Sequence, residues 1–140
     1  MKRTGSAVWS GGLKDGKGTV STESGVIDAA PYSFAKRFGD EKGTNPEELI
    51  GAAHASCFSM ALSNVLGEAG MKADEIATSA QVTVEAGDGG FSITAVHLTV
   101  KAKIPGASAA DFEEAANKAK AGCPVSKVLN APITMDASLA

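Results

Sequence analysis

One run constrains this chain more than any other: Asn45-Pro46-Glu47-Glu48-Leu49-Ile50-Gly51-Ala52-Ala53-His54-Ala55-Ser56-Cys57-Phe58-Ser59-Met60-Ala61-Leu62. Asn45 suits an N-cap, Pro46 the first helical position, and Glu47 and Glu48 the positive end of the macrodipole. A helix is predicted to run from here to about Glu68 and to stop near Gly70. Its apolar residues are spread almost all round rather than along one stripe, and such a helix must be surrounded. A chain of 140 residues reads as one domain, residues 1–140. One modest sheet can cover only one side of the helix. Gly51, Ala52, Ala53, Ala55 and Ala61 would let a second helix approach closely, so the expectation is an obligate twofold homodimer built about this segment.

The segments on either side supply the sheet. Ser6 to Ser10, Lys17 to Glu23 and Gly25 to Ile27 are β-prone and separated by glycine turns, and Gly39 to Asn45 reads as a loop. Beyond the central helix, Ile76 to Glu85 and Phe91 to Ile104 form a predicted hairpin across Gly87-Asp88-Gly89-Gly90. In its second strand Val96, Leu98, Val100, Ala102 and Ile104 alternate with His97, Thr99, Lys101 and Lys103, the pattern of one buried and one solvated face. Ser108 then caps an amphipathic helix with Phe112, Ala115, Ala116 and Ala119 on one stripe, ending at Gly122. A helical turn after Pro124 and a strand over Ile133 to Ser138 complete the order βββ-α-ββ-α-β. The fold class is α+β, helices against a mostly antiparallel sheet.

Charge and hydropathy exclude several classes. A net charge of −3 with dispersed lysines leaves no footprint for a nucleic-acid backbone. Met1 to Trp9 holds two basic residues without an apolar stretch behind them, unlike a signal peptide. The run from Leu49 to Leu66 is interrupted by His54, Ser56, Ser59, Ser63 and Asn64, so no membrane span is expected. A cytoplasmic protein follows, in which a permanent disulfide is out of place and cysteines serve catalysis, sensing or metal binding.

The chain has two cysteines, so a disulfide within it must join Cys57 to Cys123. Cys57 is as readily a small buried hydrophobe as a nucleophile. A nucleophilic thiolate needs a nearby cation, and Arg37, some twenty residues upstream, offers a guanidinium. Cys123 precedes Pro124 at a helix start, where backbone N–H groups favour a thiolate. His54 stands one helical turn before Cys57. A Cys–His pair or a metal site is open to it, although a histidine at that spacing also simply projects alongside the sulfur. No zinc-ligand spacing accompanies it. The glycine clusters lack the strand-loop-helix context of a phosphate loop, and Glu47 and Glu48 are ordinary helix-start acids on their own evidence.

The run from Gly43 to Leu62, with Ala121-Gly122-Cys123-Pro124-Val125-Ser126-Lys127, resembles the signature of the OsmC/Ohr family, the osmotically inducible protein C and organic hydroperoxide resistance proteins. Lys17 to Gly25 and the Arg37-Phe38 pair add to the likeness, which covers essentially the whole chain in order. The resemblance implies an intertwined homodimer of thiol peroxidases. It gives Cys57 the peroxidatic role, Cys123 the resolving role, and Glu47 the task of holding an arginine that activates the thiolate. In the Ohr branch that arginine follows an N-terminal Gly-Gly pair, but here Leu13-Lys14 follows Gly11-Gly12. In the OsmC branch it precedes a phenylalanine, which is Arg37, and His54 also resembles the OsmC form of the helix. The OsmC branch is therefore assigned.

The implied reaction reduces an organic hydroperoxide to its alcohol through a Cys57 sulfenic acid and a Cys57–Cys123 disulfide, which an external dithiol reduces. A lipoylated protein is the reductant best supported for the Ohr branch. No bound cofactor or metal is called for. Ile50, Phe58 and Met60 would favour alkyl over hydrogen peroxide. The rival reading is a non-catalytic carrier of a small hydrophobic ligand, or a redox sensor, with cysteines that oxidise without cycling. Glu47 and Cys57 are ten positions apart, about 15 Å along one helix. That is far for one glutamate to serve an arginine touching the sulfur of its own chain, so a site shared between subunits is expected.

Overall fold

The computed structural model describes all residues, Met1 to Ala140, as two compact units, Met1–Leu49 and Ile50–Ala140. The first holds an antiparallel sheet of β1 (Gly5–Ser10), β2 (Lys17–Thr22) and β3 (Ala30–Tyr32) in that order. Gly18 pairs with Trp9 on one side and Tyr32 on the other. The two rings meet with centroids 5.3 Å apart. A Cβ on Gly18 would lie 2.4 Å from the Tyr32 ring, so this closure requires glycine.

Two expectations change here. The strand predicted over Gly25 to Ile27 is a turn, because the Thr22 carbonyl accepts from Gly25 N–H and Thr22 N–H donates back to the Ile27 carbonyl. Strand pairing resumes only at β3. The second change is a short helix, α1 (Phe34–Phe38), that the sequence reading left unassigned. The Ser33 hydroxyl caps it by accepting from Lys36 N–H at 3.2 Å.

Helix α2 (Pro46–Glu68) begins as predicted, with Asn45 Oδ1 accepting from Glu48 N–H at 2.8 Å, and Gly70 follows its end in the left-handed region (φ +74°). Within the Ile50–Ala140 unit its fully buried stripe is His54, Phe58, Leu62 and Leu66, at the four-residue spacing that keeps one face inward. Ala52, Ala53, Ser56, Met60, Ser63 and Asn64 lie exposed on the helix. The chain itself thus covers one stripe of α2. By length and composition α2 is also apolar enough to cross a membrane, which corrects the expectation that no run approaches that length. The interrupting polar residues are small and do not offset the alanines and leucines, and the buried stripe is that of a core helix.

The second unit holds β4 (Glu75–Gly87), β5 (Gly90–Lys103) and β6 (Ile133–Leu139). The β4–β5 hairpin is antiparallel, with a bulge at Thr83/Val84. Strand β6 pairs with β5 in parallel, because α3 (Ala109–Gly122) and α4 (Pro124–Val128) carry the chain back before it re-enters the sheet. The molecule therefore has two three-stranded sheets where one was expected, and the α+β class with mostly antiparallel pairing stands. Leu98, Val100 and Ala102 of β5, Ile104 just beyond it, and Phe112, Ala115, Ala116 and Ala119 of α3 form one core with Phe58, Leu62 and Leu66. Gly51 lets α2 settle on β4: a Cβ there would stand 2.8 Å from the Ala80 carbonyl oxygen.

Candidate active site

The residues singled out in the sequence fall into two pairs, one in each unit. In the Met1–Leu49 unit, α1 presents Arg37 and the first turn of α2 presents Glu47. Arg37 Nη2 donates to Glu47 Oε1 at 2.7 Å, and Nε reaches both carboxylate oxygens at 3.2 Å. The Glu47 side chain is 10% exposed and that of Arg37 37%. The guanidinium carbon also lies 4.9 Å from the Phe38 ring centroid, and Phe34 packs on Phe38. Carboxylate and ring fix the plane of the guanidinium, while Nη1 makes no hydrogen bond. Arg37 borders a cavity of about 260 Å³ lined by Trp9, Leu13, Tyr32 and Phe34. Glu47 is thus more than a helix-start acid.

In the Ile50–Ala140 unit, Cys57 on α2 and Cys123 between α3 and α4 bring their sulfurs to 2.8 Å, both as free thiols. Cys123 is fully buried and Cys57 half-buried. Helix α3 ends where the Cys123 N–H donates to the Ala119 carbonyl, and Pro124 at once starts α4. The sulfur is left at the opening of α4. Burial works against its thiolate, but a hydrogen bond from Cys57 and N–H groups of Ser126 and Val125 outweigh it, and the Cys123 thiol titrates below its ordinary range. For Cys57 burial acts first and the partner thiol second, and both push it up, against a single backbone hydrogen bond at Val125. No cation of this unit contributes. Of the two thiols, Cys123 is thus the more readily ionised.

His54, one turn before Cys57, is fully buried. Its Nε2 lies 2.7 Å from Ser126 Oγ of α4. Burial holds the imidazole below its ordinary range and therefore neutral. No group of three or more His, Cys, Asp or Glu side chains is placed to hold a metal ion. Ser126 was not singled out in the sequence. The available signal was its position three residues after Cys123 in the first turn of a helix, where a hydroxyl can turn back to the preceding cap residue.

A sequence profile of the family described as OsmC-like protein matches residues 39–138. The chain is 57% identical over 139 residues to "Peroxiredoxin OsmC" of Escherichia coli (strain K12), covering 99% of this chain and 97% of that protein. It is 37% identical over 112 residues to "Organic hydroperoxide resistance protein OhrB" of Bacillus subtilis (strain 168), covering 79% of each. The crystal structure of OhrB of Bacillus subtilis superposes with a TM-score of 0.74 at 28% identity, covering 96% of this chain and 98% of that one.

Proposed function

The chain belongs to the OsmC-like family, and from that premise we propose that it is a cysteine-based thiol peroxidase that reduces organic hydroperoxides to alcohols. One observation carries the reading: the only two thiols of the chain stand 2.8 Å apart. The Cys57 thiolate attacks the terminal peroxide oxygen, the O–O bond breaks, and the alkoxide leaves with a proton as the alcohol. Cys57 is left as a sulfenic acid. Cys123 then attacks that sulfur, water departs, and the disulfide is returned to two thiols by an external dithiol, for which a lipoylated protein is one chemically suited form.

What Cys57 lacks within its own unit is a positive charge, and Arg37 is a permanent one with an N–H to spare. Glu47 holds that arginine. The separation of about 15 Å along α2 between Glu47 and Cys57 supports a site completed by a second copy of the chain, whose Arg37 and Glu47 serve the Cys57 of the first. The exposed small-residue face of α2, with Met60 76% exposed, supports an intertwined homodimer about that helix. On this reading residues 1–140 work as one OsmC-like domain, without cofactor, in the cytoplasm, where reducing conditions return both thiols after each turnover.

Purified protein given a dithiol should consume an alkyl hydroperoxide catalytically and prefer it to hydrogen peroxide. Stoichiometric oxidation without turnover would instead establish a sensor or carrier. Sharing of the site is tested by mixing Cys57→Ser with Glu47→Ala subunits. Each heterodimer then keeps one site free of both defects, so activity should partly return. No recovery after confirmed subunit exchange would assign Glu47 to its own chain.

A further inference from the structure

The buried imidazole takes no part in the reaction above. Neutral His54 carries one ring proton. Its Nε2 faces Ser126 Oγ at 2.7 Å, and its Nδ1 is buried with no partner. A proton on Nδ1 would orphan a buried N–H donor, whereas a proton on Nε2 leaves only a bare lone pair at Nδ1. Orphaned buried donors are the rarer and costlier of the two. Nε2–H therefore donates to Ser126 Oγ and occupies the acceptor side of the hydroxyl.

Ser126 is then left with its own O–H to give; it stands in the first turn of α4, three residues after the cap residue Cys123, and its hydroxyl and backbone N–H are among the groups that favour the Cys123 thiolate. Cys57 is the titratable group that faces this sulfur, from α2; neither Lys120 of α3 nor Lys127 of α4 contributes to its titration. The bond from His54 Nε2–H thus leaves the Ser126 hydroxyl proton free to turn toward Cys123, one helical turn away at the cap of α4.

We propose that His54 is a positioning residue for the resolving step: through Ser126 it aims a hydroxyl proton at the Cys123 sulfur while Cys57 waits as a neutral sulfenic acid. The inference rests on the assignment of Cys57 as the attacking and Cys123 as the resolving thiol. In the step itself the Cys123 thiolate attacks the Cys57 sulfur, the S–S bond forms as the S–O bond breaks, and the hydroxide leaves with a proton from solvent as water. Faster resolution shortens the time in which a second peroxide can drive Cys57 to the sulfinic acid.

The test begins with wild-type protein and one equivalent of alkyl hydroperoxide. Mass spectrometry must find the Cys57–Cys123 disulfide; its absence overturns the peroxidase reading and this inference with it. With the disulfide found, Cys123 alkylation by iodoacetamide is followed against pH in a Cys57→Ser background. His54→Leu and Ser126→Ala should each raise the midpoint by about one pH unit. His54→Gln, which keeps an N–H near the position of Nε2, should leave it within about half a unit. With Cys57 present, the first two variants should slow disulfide formation about tenfold and accumulate Cys57 sulfinic acid, while sulfenic acid still forms at the wild-type rate. An unmoved midpoint in Ser126→Ala overturns the proposal even where His54→Leu fails to fold. Equal loss in His54→Gln and His54→Leu overturns it as well, because packing alone would then be at stake.

Discussion

The two pairs differ in what holds them and in what they lack. Arg37 and Glu47 meet as opposite charges, and the arginine keeps both N–H groups of Nη1 uncommitted beside an aromatic-lined cavity. Cys57 and Cys123 meet by burial, at almost the same separation, as two free thiols with no cation of their own unit. The first is a fixed pair of charges; in the second, Cys123 is the more readily ionised thiol. On the proposed mechanism the Arg37 guanidinium of a second copy would favour the Cys57 thiolate. Each experiment below strikes one pair and asks whether the other notices.

The largest effect belongs to the sulfurs. Cys57→Ser should abolish peroxide reduction, while Cys123→Ser should allow one oxidation and then trap Cys57 as sulfenic or sulfinic acid, read by mass after one equivalent of peroxide. Over-oxidation of Cys123 in the wild type would reverse the roles. Next comes Arg37→Ala, which should slow peroxide attack by about two orders of magnitude and raise the Cys57 thiolate midpoint in a pH titration of thiolate absorbance. Arg37→Lys should rescue poorly, since a point charge cannot engage the Glu47 fork and a thiolate together. A titration unchanged in Arg37→Ala would break the link between the pairs.

Smaller effects sharpen the contrast. Gly51→Ala places a methyl group against the Ala80 carbonyl oxygen, and the forced shift of α2 on β4 should cost about 1–3 kcal/mol in urea unfolding. The cost should fall on closure of the sulfur pair and spare the Arg37–Glu47 bond. The smallest concerns pH. Burial depresses the His54 pKa in the folded chain, so below its ordinary value of about 6.5 the unfolded chain binds a proton that the folded chain refuses. The stability this group contributes is complete above that pH and falls as pH drops beneath it, by up to about 1.4 kcal/mol per unit. His54→Gln should remove that part of the slope. A slope unchanged in the variant would mean that His54 titrates alike in both states.

Particular residues show which features were legible in advance. Asn45, Pro46 and Gly70 bound α2 where their capping chemistry predicted. The alternation from Val96 to Ile104 and the stripe from Phe112 to Ala119 both turned to the core. The pairing of Arg37 with Glu47 was implied by family likeness, and the two side chains meet at 2.7 Å. Helix α1 escaped because five residues hold too few periods to read, and its one signal, Ser33, is a common residue in turns. Gly25 to Ile27 looked like a strand because β-propensity does not say whether a partner edge is in reach.

Capping, turn chemistry and the two periodicities act over a few residues, so the amino-acid sequence by itself determined the helices α2 and α3, the β4–β5 hairpin, and which face of β5 is buried. Family likeness extended that reading to the roles of the cysteines. Separation into two sheets, the parallel entry of β6, the meeting of the sulfurs and the bond from His54 to Ser126 were decided only by tertiary structure. These join residues far apart along the chain, and their partners are chosen by how the core closes. A thiol's proton affinity follows the same rule, because it depends on the burial, N–H groups and charges gathered around the sulfur, which no local stretch of sequence specifies.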